Sequence, residues 1–260
     1  MDGTTFALPV PLRLPQPLCV VALPGAGFDA QFSQQAFSLL AADLSARLVT
    51  VNPQPGHLIA GFLNDVNDVL QESERLGEHV VLVGVSIGAI AACRVALAES
   101  YKKESHSVGI TPLCAAIAFM APWTGDGFRT APAALSAGAT AAAVEELGLT
   151  KVRKQIVASS PQWLAALQDP CWERYGDKLA LLMSEVAVTP SLTVDDFSRV
   201  ALPVGVVCVD DDPLHPAEVG QQWAAALPNS ATAHLCLSDI EKDVAVFSRA
   251  SLSLLSELFP

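Results

Sequence analysis

A serine with glycines two residues to either side, Gly84-Val85-Ser86-Ile87-Gly88, is the part of this sequence best suited to covalent chemistry. A Val/Leu run at 80–83 precedes it and an alanine-rich stretch follows, so the pentapeptide reads as a tight turn from a buried strand into a helix. The glycines have a steric reason, since side chains at those two positions would collide with such a turn. The helix opening behind Ser86 would aim free N–H groups and the positive end of its dipole at the place where an oxyanion forms. The chemistry implied is attack by the Ser86 hydroxyl on a carbonyl carbon. Pentapeptides of this form also arise by chance, and it is the flanking strand and helix that give this one weight.

Leu23-Pro24-Gly25-Ala26-Gly27-Phe28-Asp29 follows the first long apolar run. By itself it is a glycine-rich turn that leads into a helix. Together with the serine pentapeptide it resembles the α/β-hydrolase family, whose corresponding loop usually reads His-Gly-x-Gly. Pro24 stands where that histidine would be, a departure common among thioesterase-like members. The resemblance implies an oxyanion hole built from the backbone N–H groups of Ala26 and Ile87. Asn52-Pro53-Gln54-Pro55-Gly56-His57 resembles the family's Asp-x-x-Gly-His-Gly loop, with Asn52 for Asp and Leu58 for the last Gly. That likeness makes His57 a loop hydrogen-bonder rather than a base. Val209-Asp210-Asp211-Asp212-Pro213-Leu214-His215-Pro216 resembles the family's Gly-x-x-Asp-x-x-x-Pro segment, with Val209 for the Gly, and implies that Asp212 is the acid that orients the base. Ser86 followed by Asp212 is the family's order. Read without the resemblance, three adjacent aspartates after a strand could equally be a solvated turn or a cation site.

An unassisted serine hydroxyl is a poor nucleophile at neutral pH, so a base is needed. The family carries it after the last strand. Here that stretch reads His234-Leu235-Cys236-Leu237-Ser238-Asp239-Ile240-Glu241, and no histidine follows His234. Ser238 and Glu241 have the spacing of a capping box, which predicts that Ser238 caps the final helix with no intervening loop. Five histidines are available to fill the gap. His79 precedes a strand, at the end of the sheet away from the site, and His106 lies in a Lys/Ser-rich connection. His234 falls in mid-strand, where a packed or hydrogen-bonded core histidine is the usual outcome. His57 and His215 lie on loops at the carboxyl ends of strands, the rim where sites form in such sheets. His215, three residues after Asp212, is first in line. His234, His57 and no working histidine at all stay open as alternatives.

The elements that must position these residues alternate between strand-like and helix-like runs, the signature of a mostly parallel sheet covered by helices. Leu18–Leu23 reads as a strand, and Asp29 can cap a helix reaching Leu44. A strand at 48–51 leads to a helix at 59–76, closed by Gly77 just past its end. A strand at 80–83, the turn at Ser86, a helix to Glu99 and a strand at 114–120 follow. Residues 6–14 offer an edge hairpin, against which their prolines count. Between 124 and 198 the strand rhythm stops. Ser160-Pro161 and Asp169-Pro170 each set a capping residue before a proline at a first helical position, and Thr193 with Asp196 resembles a capping box. This predicts an inserted helical lid at 124–198, packed over the carboxyl ends of the strands above an apolar pocket at Ser86. The rhythm resumes with a strand at Val204–Val209, a helix at 216–227, a strand at 232–237 and a final helix at 239–258. The expectation is a single α/β domain over 1–260: a mostly parallel central sheet flanked by helices, with that lid inserted.

The 260 residues suffice for one such domain. Apolar residues make up 51% of them, ample for a core, and the mean hydropathy of +0.40 hints at apolar surface kept for a partner or a greasy substrate. A formal charge of −12 argues against nucleic acid and against anionic membrane surfaces. The six cysteines have no C-x-x-C spacing and read as buried thiols, which implies neither a disulfide framework nor a zinc site. Residues 1–17 lack the pattern of a signal peptide, and no run of 18 apolar residues offers a membrane span, so the expectation is a cytoplasmic protein. The leading function is a serine hydrolase for a small carboxylic ester or thioester with an apolar portion, needing no metal or organic cofactor. Homo-oligomerisation is left open. Trp163, Trp172, Leu179, Leu181 and Leu182 in the lid suit an apolar acyl group, and suit a packed lid core equally. The alternatives are a non-catalytic binding protein of the same fold that has lost the triad histidine, and a lyase or transferase using the oxyanion hole alone.

Overall fold

The computed structural model describes residues 13–104 and 111–260. The hairpin read over 6–14 falls largely outside them, and His106 wholly so. Six strands, β1 (Leu18–Leu23), β2 (Arg47–Thr50), β3 (His79–Val85), β4 (Leu113–Phe119), β5 (Val204–Val209) and β6 (Ser230–Leu235), pair in parallel in the order β2-β1-β3-β4-β5-β6. Helices α1 (Ala30–Asp43), α2 (Leu58–Leu76) and α3 (Ile87–Glu104) follow the first three strands. Between β4 and β5 come α4 (Pro132–Leu147), α5 (Leu149–Ser159), α6 (Gln162–Tyr175), α7 (Leu179–Ala187) and α8 (Val194–Ser198). Helix α9 (Ala217–Ala226) precedes β6, and α10 (Leu237–Lys242) and α11 (Val246–Leu258) close the chain. No helix of the described residues is long and apolar enough to cross a membrane.

The central strands are apolar along their whole length because helices cover both faces of the sheet. Alternate residues of β3 serve the two sides. Val80 and Leu82 join a core with Phe62, Ile90, Phe197 and Trp223, while Val81 and Val83 join one with Phe37, Phe119, Phe247 and Leu254. The edge strand β6 alternates between exposed and half-buried positions. Strand order reverses between β1 and β3, since the chain runs outward to β2 and then returns to the other side of β1. A crevice opens at the carboxyl ends of strands where the order reverses in this way. Here the reversal makes the loop after β1, which carries Ala26, a neighbour of the turn after β3, which carries Ser86.

Two local readings need correction. The strand β6 begins and ends two residues before its expected place, because the ladder with β5 pairs Val204 with Ser230 and Val209 with Leu235. Helix α10 therefore starts at Leu237, and its cap is Cys236, whose amide donates to Asp239 Oδ2 at 3.0 Å. Ser238 lies in the first turn and Glu241 has no capping role. The final helix is also broken at Asp243, which accepts from the Ala245 amide. In the insertion, Pro170 lies inside α6 rather than at a helix start, and Asp169 is engaged by Arg153 of α5 at 2.7 and 3.0 Å. The Thr193–Asp196 capping box is present.

The insertion packs on the carboxyl rim of the sheet through named contacts. Glu185 of α7 accepts from the Gly56 amide at 2.8 Å and the Leu58 amide at 3.3 Å, at the start of α2. His57, at the cap position there, makes no side-chain cap bond. Trp123 Nε1 donates to Thr189 O at 3.0 Å, tying the exit of β4 to the far end of the insertion.

Helix α9 lies close on β5, and Gly220 makes that approach possible: a Cβ there would sit 2.6 Å from Cys208 Sγ. Helix propensity alone favours alanine at such a site by about 1 kcal/mol. Overpacking costs about 1–3 kcal/mol and should win. Gly220→Ala is therefore expected to lower the urea midpoint, and Cys208→Ala in the same chain to restore it. A stabilised Gly220→Ala would contradict the packing described.

Candidate active site

The turn after β3 is built around Ser86, which has φ +53, the left-handed region that non-glycine residues seldom occupy. Such a conformation costs on the order of 1–3 kcal/mol and persists only where its surroundings enforce it. Here they do. The Ser86 amide donates to Phe119 O at 2.9 Å, and Ser86 O accepts from the Ala89 and Ile90 amides of α3. A Cβ at Gly88 would lie 2.5 Å from Leu23 O and 2.7 Å from Pro24 O, and one at Gly84 would run into Gly88 O and lie 2.7 Å from Ala89 N. The backbone of α3 thus crosses the end of β1 at a distance only glycine allows. Ser86 is left at the helix N-terminus with its hydroxyl on the rim.

The loop after β5 divides its three aspartates among three tasks. Asp210 Oδ1 lies 2.6 Å from His234 Nδ1, on the exposed edge. Asp211 Oδ1 accepts from the Leu237 amide at 2.7 Å. Asp212 turns inward, accepts from the Leu214 amide at 2.8 Å through Oδ1, and meets His215 Nδ1 at 2.8 Å through Oδ2. One carboxylate thereby folds the loop and orients the ring. Pro213 and Pro216 restrict the backbone on either side of the Leu214-His215 pair. Among the described residues no group of three His, Cys, Asp or Glu is placed to hold a metal ion.

His215 Nε2 lies 2.9 Å from Ser86 Oγ. An ionised carboxylate only accepts, so Nδ1 carries the proton and Nε2 presents its lone pair to the serine hydroxyl. The side chains of Asp212 and His215 are only 6% and 12% exposed. Burial pushes the Asp212 carboxyl up, but the His215 bond and charge and the Leu214 and His215 amides outweigh it and hold it below the usual carboxylate range. The other described histidines lie elsewhere. His234 is on the exposed outer edge rather than in the core, His57 is exposed, and His79 is at the start of β3.

Residues Gly25 to Phe28 form a tight turn closed by the Phe28 amide on Gly25 O at 3.2 Å, with Gly27 at φ +75. Gly25 packs on the serine turn, a Cβ there meeting Ser86 Cβ and Val85 O at 3.4 Å. Ala26 is the half-buried tip of this turn, and Ile87 is the first, fully buried residue of α3. Among the described residues neither amide donates to a protein acceptor. A carbonyl oxygen placed between them would meet two N–H groups and a helix N-terminus.

A cavity of about 420 Å³ is lined by Pro216, Val219 and Gln222 and by Trp123, Thr130 and Pro132, and His215 is not among its lining residues. Ser86 is not in its wall. Of the lid residues nominated for an acyl group, Trp172, Leu179 and Leu182 are buried in packing and Leu181 is exposed beside Gly56. Trp163 packs against the core on the α1 and α11 side. The insertion's own core explains most of that set. Sequence reasoning missed Arg174, Tyr175 and Glu185, whose partners lie over 120 residues away and leave no local signal.

A model of the alpha/beta hydrolase family matches residues 20–244. No curated protein matches the sequence. Among solved structures, MenH from S. aureus superposes with a TM-score of 0.70 at 14% identity, covering 94% of this chain and 96% of that one. The esterase EaEST from Exiguobacterium antarcticum gives 0.69 at 15% identity, covering 93% of each chain. The esterase RhEst1 from Rhodococcus sp. ECU1013 gives 0.65 at 18% identity, covering 93% of this chain and 91% of that one. At these identities the likeness is one of fold.

The lowered pKa of Asp212 has a consequence for stability. A depressed carboxylate stabilises the fold above its unfolded value of about 3.9, and this contribution is lost as pH falls through the folded value. Asp212→Asn is expected to lower the urea midpoint at neutral pH by about 1–2 kcal/mol of stability. The gap from the wild type should narrow as pH falls below the unfolded value and through the lower folded one. A gap that does not change with pH would contradict the ionised, paired state of Asp212.

Proposed function

The chain belongs to the alpha/beta hydrolase family, and on that premise we propose that it is a serine hydrolase for a carboxylic ester or thioester with an apolar portion. One observation carries the reading. The line from Asp212 Oδ2 to His215 Nδ1 at 2.8 Å, and from His215 Nε2 to Ser86 Oγ at 2.9 Å, joins an acid, a base and a hydroxyl in hydrogen-bonding sequence.

In this reading Ser86 Oγ attacks the carbonyl carbon as its proton passes to His215 Nε2. The carbonyl oxygen takes up negative charge, held by the amides of Ala26 and Ile87. The tetrahedral intermediate collapses by breaking the bond to the alcohol or thiol, which leaves with the proton from His215. Water then gives a proton to the same nitrogen and attacks the acyl-serine, releasing the acid and restoring Ser86. Asp212 holds the ring and stabilises its cationic form in both half-reactions. Every step uses protein groups and water alone.

An apolar portion agrees with the apolar surface that Trp123, Pro132 and Val219 offer in the cavity at Pro216, one residue along the chain from His215, with Thr130 and Gln222 as polar points. Leu214, partly exposed between acid and base, adds apolar surface at the mouth. Two of the similar structures are titled esterases, which agrees with ester cleavage.

The test is turnover of p-nitrophenyl esters of increasing acyl length. His215→Ala is expected to cut kcat by about 10²–10⁴-fold. His234→Ala should leave kcat unchanged, because that ring pairs with Asp210 on the outer edge. Wild-type turnover in His215→Ala would overturn the assignment of the base.

A further inference from the structure

Three residues in the last turn of α6 bear on three consecutive residues of the turn that carries Ala26. The Trp172 indole abuts Gly27, where a Cβ would lie 2.6 Å from Nε1 and 2.8 Å from Met183 Cε. The Tyr175 hydroxyl donates to Phe28 O at 2.7 Å. Arg174 Nε donates to Asp29 Oδ2 at 2.6 Å, and its Nη2 lies at the same distance from that oxygen. Residues 172, 174 and 175 of the insertion therefore seize residues 27, 28 and 29 of the rim. Among the described residues no other part of the site is held from the insertion at so many consecutive points.

We infer that this end of α6 is a positioning device for the oxyanion hole, so that seating the insertion and aiming the Ala26 amide are one event. The inference rests on the hydrolase reading above and deepens it by naming what sets the hole. The physical case begins with the turn itself. Its internal restraint is a single 3.2 Å bond from the Phe28 amide to Gly25 O, and glycines flank Ala26 on both sides. Glycine peptides rotate freely, so a turn of this composition does not hold a peptide plane to a few degrees. A donor contributes to an oxyanion only when it already points at the developing charge. The remaining stiffness must come from outside the turn: Gly25 rests on Ser86 and Val85, and α6 supplies three further contacts on the other side of Ala26.

The individual contacts suit that task. Asp29 is a buried carboxylate whose Oδ1 accepts from the Gln31 and Phe32 amides of α1, which leaves Oδ2 for Arg174. Asn52 Oδ1 accepts from the Ala30 amide, so the first turn of α1 is anchored without drawing on the guanidinium. Burial pushes the Asp29 carboxyl up, but Arg174 and the two amides hold it below the usual range, and the pair persists across neutral pH. Burial likewise raises the Tyr175 hydroxyl, which stays protonated and remains a donor. Among the described residues Trp172 Nε1 is buried without a hydrogen-bond partner, so the indole is placed on Gly27 at the expense of an unmet donor.

The experiment compares the wild type with Tyr175→Phe, Arg174→Lys and Arg174→Ala on a p-nitrophenyl ester, with inhibition by phenylboronic acid measured on each. A boronate bound to a serine carries the tetrahedral oxyanion, whereas KM reports the uncharged ester. Arg174→Ala is expected to lower kcat by about 10- to 100-fold, Tyr175→Phe by about 3- to 10-fold, and KM to change less than twofold. Affinity for the boronate should fall by the same factor as kcat/KM in each variant, and Arg174→Lys should recover part of the loss. Tyr175→Phe removes one oxygen atom and guards against a failure to fold. Active variants with an unchanged kcat and boronate affinity would overturn the clamp while leaving the hydrolase reading intact. A wild type with neither ester turnover nor boronate binding would overturn both.

Discussion

The site depends on one close backbone contact. Helix α3 passes the end of β1 so near that a Cβ on Gly88 would lie 2.5 Å from Leu23 O. This contact forces the turn at Ser86 into the left-handed region and sets the loop after β1 directly against it. The reversal of strand order between β1 and β3 makes the two segments neighbours, and the two glycines let them touch. The Ser86 turn and the neighbouring Ala26 and Ile87 amides are thus products of the same crossing. Strain at Ser86 is balanced by burial of β3 and α3 in the surrounding core, where most side chains are wholly excluded from water.

Asp212 and His215 reach the serine from further away. The strand β4 lies between β3 and β5, so the loop after β5 must lean across its end to bring His215 to Ser86. Placing Asp212 and His215 three residues apart makes this feasible, because one carboxylate both folds the loop and fixes the ring. The edge strand is then free of any part in the site. Its histidine pairs outward with Asp210, and its exit enters α10 directly, capped at Cys236, whose amide donates to Asp239, and tied to Asp211. A chain that carried its base after β6 would need a loop where this one has a helix.

Much of this was legible in the sequence, for physical reasons that differ by element. The strand at Val204–Val209 is a β-branched run that parallel packing buries completely, and it was readable to the residue. The edge strand β6 was misplaced by two positions because its weak alternation leaves the register to the pairing with β5. That shift moved the helix cap from Ser238 to Cys236, although Ser238 and Glu241 fit the local pattern as well. The nearness of Asp212 and His215 was visible as spacing, but the reach of the ring to Ser86 was not, because it depends on the lean across β4. Asp29 was readable as a helix cap. Its second duty toward Arg174 was not, since that partner is 145 residues away and on a different layer.

The central claim is that His215 activates Ser86, and covalent labelling with a fluorophosphonate probe tests it most directly. The native protein is expected to take up one equivalent, located by peptide mass spectrometry on Ser86, with labelling absent in Ser86→Ala. The labelling rate should fall by at least about 100-fold in His215→Ala, since a positioned base contributes that much or more. A native protein that takes up no label, or a His215→Ala variant labelled at the wild-type rate, would contradict the account.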